Sequence, residues 1–381
     1  MTDAISDYTT HEVLTTPSDL VSPQALERLR HLILSTGQAG VSPPDGLNLL
    51  AFPGLLSQGR LTIAGLLLAG SEQALRQVLP GFGWSYQYAP FGTEILDAQK
   101  GCCAIPEAVD LLLGLILSHS PVFTTQRKDR RVEVHPYPHT ALREALWNAF
   151  GHHDLSQCKE IRVRQTSDKV EILSPGQLPE GVTPENILHA LRQARNALLM
   201  KTLSLLGVAG HPTPGIEQMF WAMLSEGQSA PAVDEPEQST RITFSGWAGF
   251  DLWPIFIEEE IEVGRTLNVD HLLLLRHLLL TADVGADAAA QICQRSEPET
   301  RRLLSEMTDW GYTRHNYAHT DQFWSLQPAM FDRFSSKQAL IRQRQLYYND
   351  LGRMPTGCSR RQSHRNRDAQ VETNAQAAAL A

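Results

Sequence analysis

Three polar residues recur at four-residue intervals in the segment TALREALWNAFGHHDLS: Glu144, Asn148 and His152. In a helix this spacing sets them in a row. Leu142, Ala145, Leu146 and Ala149 meanwhile follow the i, i+3, i+4, i+7 pattern of a buried stripe on another side. A carboxylate one turn from an amide suits a nucleotide site, because an amide oxygen is a hard ligand for Mg2+ and a carboxylate can align or deprotonate an attacking water. The same row also describes the solvated face of an ordinary amphipathic helix, and spacing alone favours that plainer reading.

The elements that would position this row are legible on both sides of it. After a helix over 140–151, IRVRQTSDKVEILSPGQLPEG reads as two strands (160–165 and 170–173) running into a Gly/Pro loop. A long helix over 184–206, a helix over 215–226 and a strand over 241–245 complete the region. Between the last two, EGQSAPAVDEPEQST is Pro-rich and acidic and reads as a surface loop. Mixed helix and strand order predicts an α+β sandwich.

Upstream, Leu26, Leu29, Leu32 and Ile33 predict a helix over Pro23–Ile33, which the SPPDG segment at 42–46 ends. RLTIAGLLLAG suits a buried strand or helix, TEILDAQKG a short strand, and PEAVDLLLGLILSHS a buried helix. Downstream, DHLLLLRHLLLT, ADAAAQICQ and ETRRLLSEMTDWG, the last opened by SEPE, predict three helices. Two short strands around Tyr312 and Phe323 follow, and the succession predicts a winged helix-turn-helix. Arg301 and Arg302 lie on the helix that would enter a major groove, with Leu303, Leu304 and Met307 turned inward, although Glu297, Glu299, Glu306 and Asp309 share that helix.

The order REALWNAFGHHDLS, VEILSPGQLP, ARNALL and PGIEQMFWAM resembles the GHKL-type (gyrase, heat-shock chaperone, histidine kinase, MutL) ATP-binding region of bacterial regulators that pair a Schlafen-like AlbA domain with a winged helix, some of them called RecG-like. The resemblance covers roughly residues 55 to 326 and is most specific around YPHTALREALWNA. It implies a Bergerat-type α/β sandwich with a C-terminal winged helix-turn-helix. It implies ATP and Mg2+ as cofactors, Glu144 as general base, Asn148 as the Mg2+ ligand, Ser174, Pro175 and Gly176 in the loop beneath the adenine, and Gly215 in the loop over the phosphates. The sequence departs from the family at two of these places. Ser174 stands where an Asp usually accepts from the adenine amino group, and Gln177 replaces a glycine of close relatives. In the phosphate loop, GHPTPGI offers Thr213 and Pro214 before Gly215, and proline has no N–H to give an anion. The matching family segment carries a His followed by a basic residue that could touch phosphate, but His153 stands where that Arg is expected, and histidines placed at a helix end by its dipole are the equal alternative; in ARNALL Arg195 is left open while Asn196 is read as structural.

These readings divide the chain into an N-terminal α/β region (1–130), a GHKL-like domain (131–250), a winged helix-turn-helix (265–327) and a polar, basic, disordered tail (350–381). Too few residues precede Arg60 for a complete AlbA domain, which is therefore expected to be missing or vestigial. The expected function is an ATP-binding, DNA-associated transcriptional regulator, at most a slow Mg2+-dependent ATPase. The alternative is a pseudo-ATPase that serves interaction or homodimerisation.

Composition narrows the classes. A formal charge of -9 excludes a wholly basic nucleic-acid coat, so any DNA surface must be local, as in the Arg301/Arg302 helix or the arginines between Arg353 and Arg367. Five cysteines without a CxxC pair predict reduced thiols rather than a zinc site. MTDAISDYTT has neither a basic n-region nor an apolar core, and no apolar run approaches roughly 20 residues, so a cytoplasmic protein is expected. No GxSxG, HExxH or GxxxxGK[ST] motif occurs, which removes the corresponding hydrolase, protease and P-loop readings.

Overall fold

Short runs of alternating apolar and polar residues build the sheet that organises the first part of the chain. The structure, a computed structural model, describes residues 7–35, 45–127, 130–191, 193–208, 215–246, 250, 252–318 and 321–334. The chain divides into two units, Met1–Trp247 and Ala248–Ala381.

In the first unit, strands β1 (Trp84–Tyr88), β2 (Asp97–Gly101), β3 (Ile161–Gln165), β4 (Lys169–Pro175), β5 (Ala232–Asp234) and β6 (Ser239–Ser245) form one sheet in the order β2-β1-β3-β4-β6-β5. All neighbours are antiparallel except β1 and β3, which run parallel with Trp84 opposite Ile161. Period-2 alternation decides which face is covered. Ile161, Val163 and Gln165 are buried while Arg162 and Arg164 are exposed, and Val170, Ile172 and Ser174 of β4 join the buried face. Strands on either side of residue 131 thus share a single sheet.

The unit's longer helices include α1 (Pro23–Ser35), α2 (Ile63–Ala69), α3 (Ile105–Ser118), α4 (His139–Gly151), α5 (Ala197–Leu205) and α6 (Gly215–Ser225), with α4 packed on α3, α6 and β4. The stripe predicted for α4 is realised, with Ala141, Leu142, Ala145, Leu146 and Ala149 all buried. Two expectations need correction. The predicted helix over 184–206 is helical only from Ala197 to Leu205. Asn196 has non-helical dihedrals (φ -106°, ψ 71°) because its side chain is used elsewhere, donating from Nδ2 to Gly151 O (3.0 Å) and His153 O (2.9 Å). The acidic segment before β6 is not wholly loop either, since Ala232–Asp234 pairs with β6 and Arg241 on that strand holds Asp234.

The second unit carries α7 (Trp253–Glu262), α8 (Val269–Leu280), α9 (Ala286–Cys293), α10 (Glu297–Asp309) and α11 (Pro328–Phe334), with strands β7 (Val284–Gly285), β8 (Thr313–Ala318) and β9 (Asp321–Leu326) in the order β7-β9-β8. Capping boxes start two of these helices. Asn268 and His271 open α8, and Ser296 and Glu299 open α10 as the SEPE signal predicts. Buried Glu260 is held by Arg265, Arg333 and Tyr312, which ties α7 to the start of β8 and to α11. The tail over 350–381 lies outside the described residues.

Candidate nucleotide-type cavity

A cavity of about 460 Å3 opens in the first unit between α4, the end of β4, the irregular segment before α5, and the start of α6. Its volume falls in the range of small-molecule sites, about 300 to 1,000 Å3. Glu144, Asn148, Ser174, Gly176 and Gly215, picked out from three separate stretches of sequence, all line it.

Along α4, Glu144 and Asn148 stack one turn apart, and Asn148 Nδ2 donates to Glu144 Oε1 at 3.2 Å. In that orientation the amide oxygen of Asn148, a hard acceptor of the kind Mg2+ prefers, is not the atom that Glu144 engages. Glu144 also sits against the first residue of α6. A Cβ built on Gly215 would come within 1.7 Å of Glu144 Oε1, so only glycine permits this approach. A carboxylate there complements the partial positive charge at the start of the helix. Residues 209–214, which include Thr213 and Pro214 of the predicted phosphate loop, lie outside the described residues.

The other end of the cavity is built where β4 runs out. Ser174 is buried and donates its hydroxyl to Ala149 O at 2.7 Å, which satisfies a carbonyl of the last turn of α4. Gly176 has φ +110°, and a Cβ there would meet Asp154 Cβ at 2.9 Å and Arg195 Nε at 3.4 Å. Its backbone is pinned from both sides, as Gly176 N donates to Gln238 O (2.9 Å) and Thr240 Oγ1 donates to Gly176 O (2.8 Å).

Residues 159–244 match an ATPase-like family. Its description is "Putative ATP-dependent DNA helicase recG C-terminal". The matched segment begins after α4, so it takes in β3, β4, the Gly176 loop, α5, α6 and β5 but not Glu144 or Asn148. Among solved structures, the DIP2311 protein from Corynebacterium diphtheriae is similar, with a TM-score of 0.69 and 22% identity over 88% of this chain. This chain spans 66% of that protein's length, and the likeness concerns the fold. No curated protein matches the chain.

The remaining residues singled out from the ATPase-like region separate into lining and support. His152, at the end of α4, lines the cavity, and burial with the nearby Arg195 charge lowers its pKa to about 4, so the imidazole is neutral at pH 7. His153 does not line it. Its ring stacks on Phe82, its Nε2 donates to Lys159 O at 2.8 Å, and burial lowers its pKa to about 4. Arg195 lines the cavity, donates to Gln177 O (3.1 Å) and faces Asp154 at 3.7 Å. Asn196 closes the end of α4 from below, consistent with a structural role.

Lining residues without a signal in the sequence come mainly from the 182–204 stretch. Met200, Lys201 and Ser204 of α5 face the cavity, as do Leu188 and Gln193 before it. Lys201 adds a second cation to the lining that Arg195 belongs to. The i, i+4 spacing of Met200 and Ser204 is visible in the sequence, but a helix running from 184 offers no reason to prefer one of its faces.

Among the described residues no group of His, Cys, Asp and Glu could hold a metal ion by itself, and no helix is long and apolar enough to cross a membrane. A Mg2+ ion here would therefore rely on Asn148 together with oxygen atoms of a bound ligand, the usual way this cation is held at phosphate sites.

In the second unit, Arg301 and Arg302 are both exposed, and Arg301 is engaged by Glu297 (2.7 Å) and Gln322 (3.0 Å) and lies over the Trp324 ring. Leu304 and Met307 are buried beneath them and Leu303 is half-buried.

Proposed function

We propose that the first unit is a GHKL-type domain that binds ATP with Mg2+, and that the second is a winged helix-turn-helix, in a DNA-associated transcriptional regulator. The observation that carries the reading is the convergence of Glu144, Asn148, Ser174, Gly176 and Gly215 on one cavity whose far wall, from β3 to β6, matches an ATPase-like family. The chemistry of the walls fits the ligand. Asn148 offers a Mg2+ ligand, Lys201 and Arg195 offer cationic charge, and Ile172, Leu188 and Met200 offer apolar contact for a heterocycle. When bound, Mg2+ supplies charge neutralisation to a triphosphate. In the second unit, three helices followed by a two-stranded hairpin with a short third strand support the winged-helix reading.

One observation favours a second reading, a pseudo-ATPase serving interaction or homodimerisation. Glu144 is seated against Gly215 and accepts from Asn148, so its carboxylate is engaged within the protein rather than presented to a water. On this reading nucleotide binds without turnover.

Thermal-shift titration of the full chain with ATP and MgCl2 tests both. Binding to the native state stabilises by about 2.7 kcal/mol at one hundred times the Kd, which gives a rise in Tm that grows with the logarithm of nucleotide concentration above the Kd and that Asn148→Ala should diminish. No stabilisation at millimolar nucleotide would refute the nucleotide reading. Phosphate release that is equal in wild type and Glu144→Ala, with binding retained, selects the pseudo-ATPase.

A further inference from the structure

The two ends of the cavity differ in hydrogen-bonding character. Glu144 lies at the end made by Gly215 and α6. His152 lies eight residues further along the helix, roughly 12 Å away at 1.5 Å per residue. Ser174 belongs to the His152 end, because its hydroxyl is bonded to Ala149 O, and Arg195 belongs there too, because its charge acts on His152 and its Nε borders Gly176.

Among the described residues, no acceptor-only side chain lines the His152 end. Glu144 is the only carboxylate among the described lining residues, and 209–214 (AGHPTP) contains neither Asp nor Glu. Asp154 stands behind Gly176 and is occupied by Ser156, Gln157 and Arg195. Arg195, which only donates, is turned to Gln177 O and Asp154, and the other polar side chains at this end are amphoteric. The Ser174 hydroxyl donates to Ala149 O while its lone pairs can accept, the neutral His152 imidazole has one donor and one acceptor, and the Gln177 amide has both. A purine with a 6-amino group meets acceptors at Ser174 Oγ or the bare imidazole nitrogen. A purine with a 6-oxo group meets donors at the imidazole N–H or the Gln177 amide. An acceptor-only carboxylate would satisfy the first and repel the second, and that discrimination is missing here.

We propose that this end of the cavity takes purine nucleotides irrespective of a 6-amino or 6-oxo substituent, so that GTP and ITP are ligands alongside ATP. The inference rests on the nucleotide reading above and adds the base specificity of the same site.

The test is a titration of the full chain with ATP, GTP and ITP, each with MgCl2, read by thermal shift and calorimetry. Kd values for the three within about tenfold of one another support the proposal. ATP binding with GTP and ITP weaker by more than about tenfold overturns it and leaves the nucleotide site standing, as does an equally large preference for the 6-oxo purines. Absence of binding by all three overturns the nucleotide reading and this inference with it. Ser174→Asp supplies the missing acceptor-only group and is expected to weaken GTP relative to ATP by at least about tenfold. An unchanged ratio in a folded Ser174→Asp variant overturns the assignment of Ser174. Ser174→Ala, which removes one acceptor and adds no charge, should not shift the ratio toward ATP, and a shift toward ATP as large as that expected of Ser174→Asp overturns the proposal. Should Ser174→Asp fail to fold, the wild-type panel and Ser174→Ala decide.

Discussion

Asn196 is where stability and the cavity are joined most directly. It is 2% exposed, and its two N–H groups close the last turn of α4 by donating to Gly151 O and His153 O at 3.0 and 2.9 Å. Replacement by Ala removes both donors at once. Each buried hydrogen bond contributes about 1 kcal/mol net, and each carbonyl left unsatisfied costs about 1 to 3 kcal/mol. Part of that is recovered by local relaxation, so Asn196→Ala should lose about 2 to 4 kcal/mol. Asn196→Asp keeps the shape but turns carboxylate lone pairs toward two carbonyl oxygens. An uncompensated buried charge costs about 3 to 5 kcal/mol, so the isosteric variant should be less stable than the truncated one. Equilibrium urea unfolding of the full chain measures the order, and hydrogen exchange shows whether amides in the last turn of α4 lose protection first. Asn196→Ala within about 0.5 kcal/mol of wild type, or Asn196→Asp more stable than Asn196→Ala, would refute the reasoning. Because α4 also carries Glu144, Asn148 and His152, any stabilisation by nucleotide should shrink in both variants.

Acid should destabilise the first unit well above the carboxylate range. His153 is buried as the neutral form with its pKa lowered from 6.5 to about 4. The unfolded state therefore binds the proton first, and stability present above pH 6.5 is lost as pH falls toward 4, by up to about 3 kcal/mol. His153→Gln should flatten the dependence of unfolding free energy on pH in that window, and an unchanged slope would count against the assignment. For DNA, Arg302 and Arg301 should behave unequally. Both are exposed, but Arg301 must first leave Glu297 and Gln322 to reach a phosphate. Arg302→Ala should reduce the salt dependence of duplex binding by about one counterion and Arg301→Ala by less, and the reverse order would exclude this helix face as the phosphate contact.

Much of the local structure could be read residue by residue. The α4 stripe, the Ser296/Glu299 capping box, the alternation in β3 and the glycine-bounded end of β4 all depend on neighbours within a turn or a few residues, and local periodicity reports such patterns directly. The irregular path from 183 to 196 could not be read in that way. Its composition is helix-compatible, but Asn196 finds carbonyls 43 and 45 positions away, and a side chain engaged there leaves its own backbone non-helical. The short strand β5 was hidden for a similar reason, since an acidic, proline-rich segment becomes a strand only when β6 is beside it.

The site divides along the same line. Sequence alone determined that Glu144, Asn148 and His152 share one side of a helix, because 3.6 residues per turn leaves no other arrangement. That Glu144 rests against Gly215, that Ser174 donates to Ala149 O, and that Arg195 stands beside a neutral His152 were decided only by tertiary structure. These contacts join residues from four stretches of chain. Hydrogen-bond partners and desolvation depend on which groups the fold brings together, and no local pattern encodes that choice.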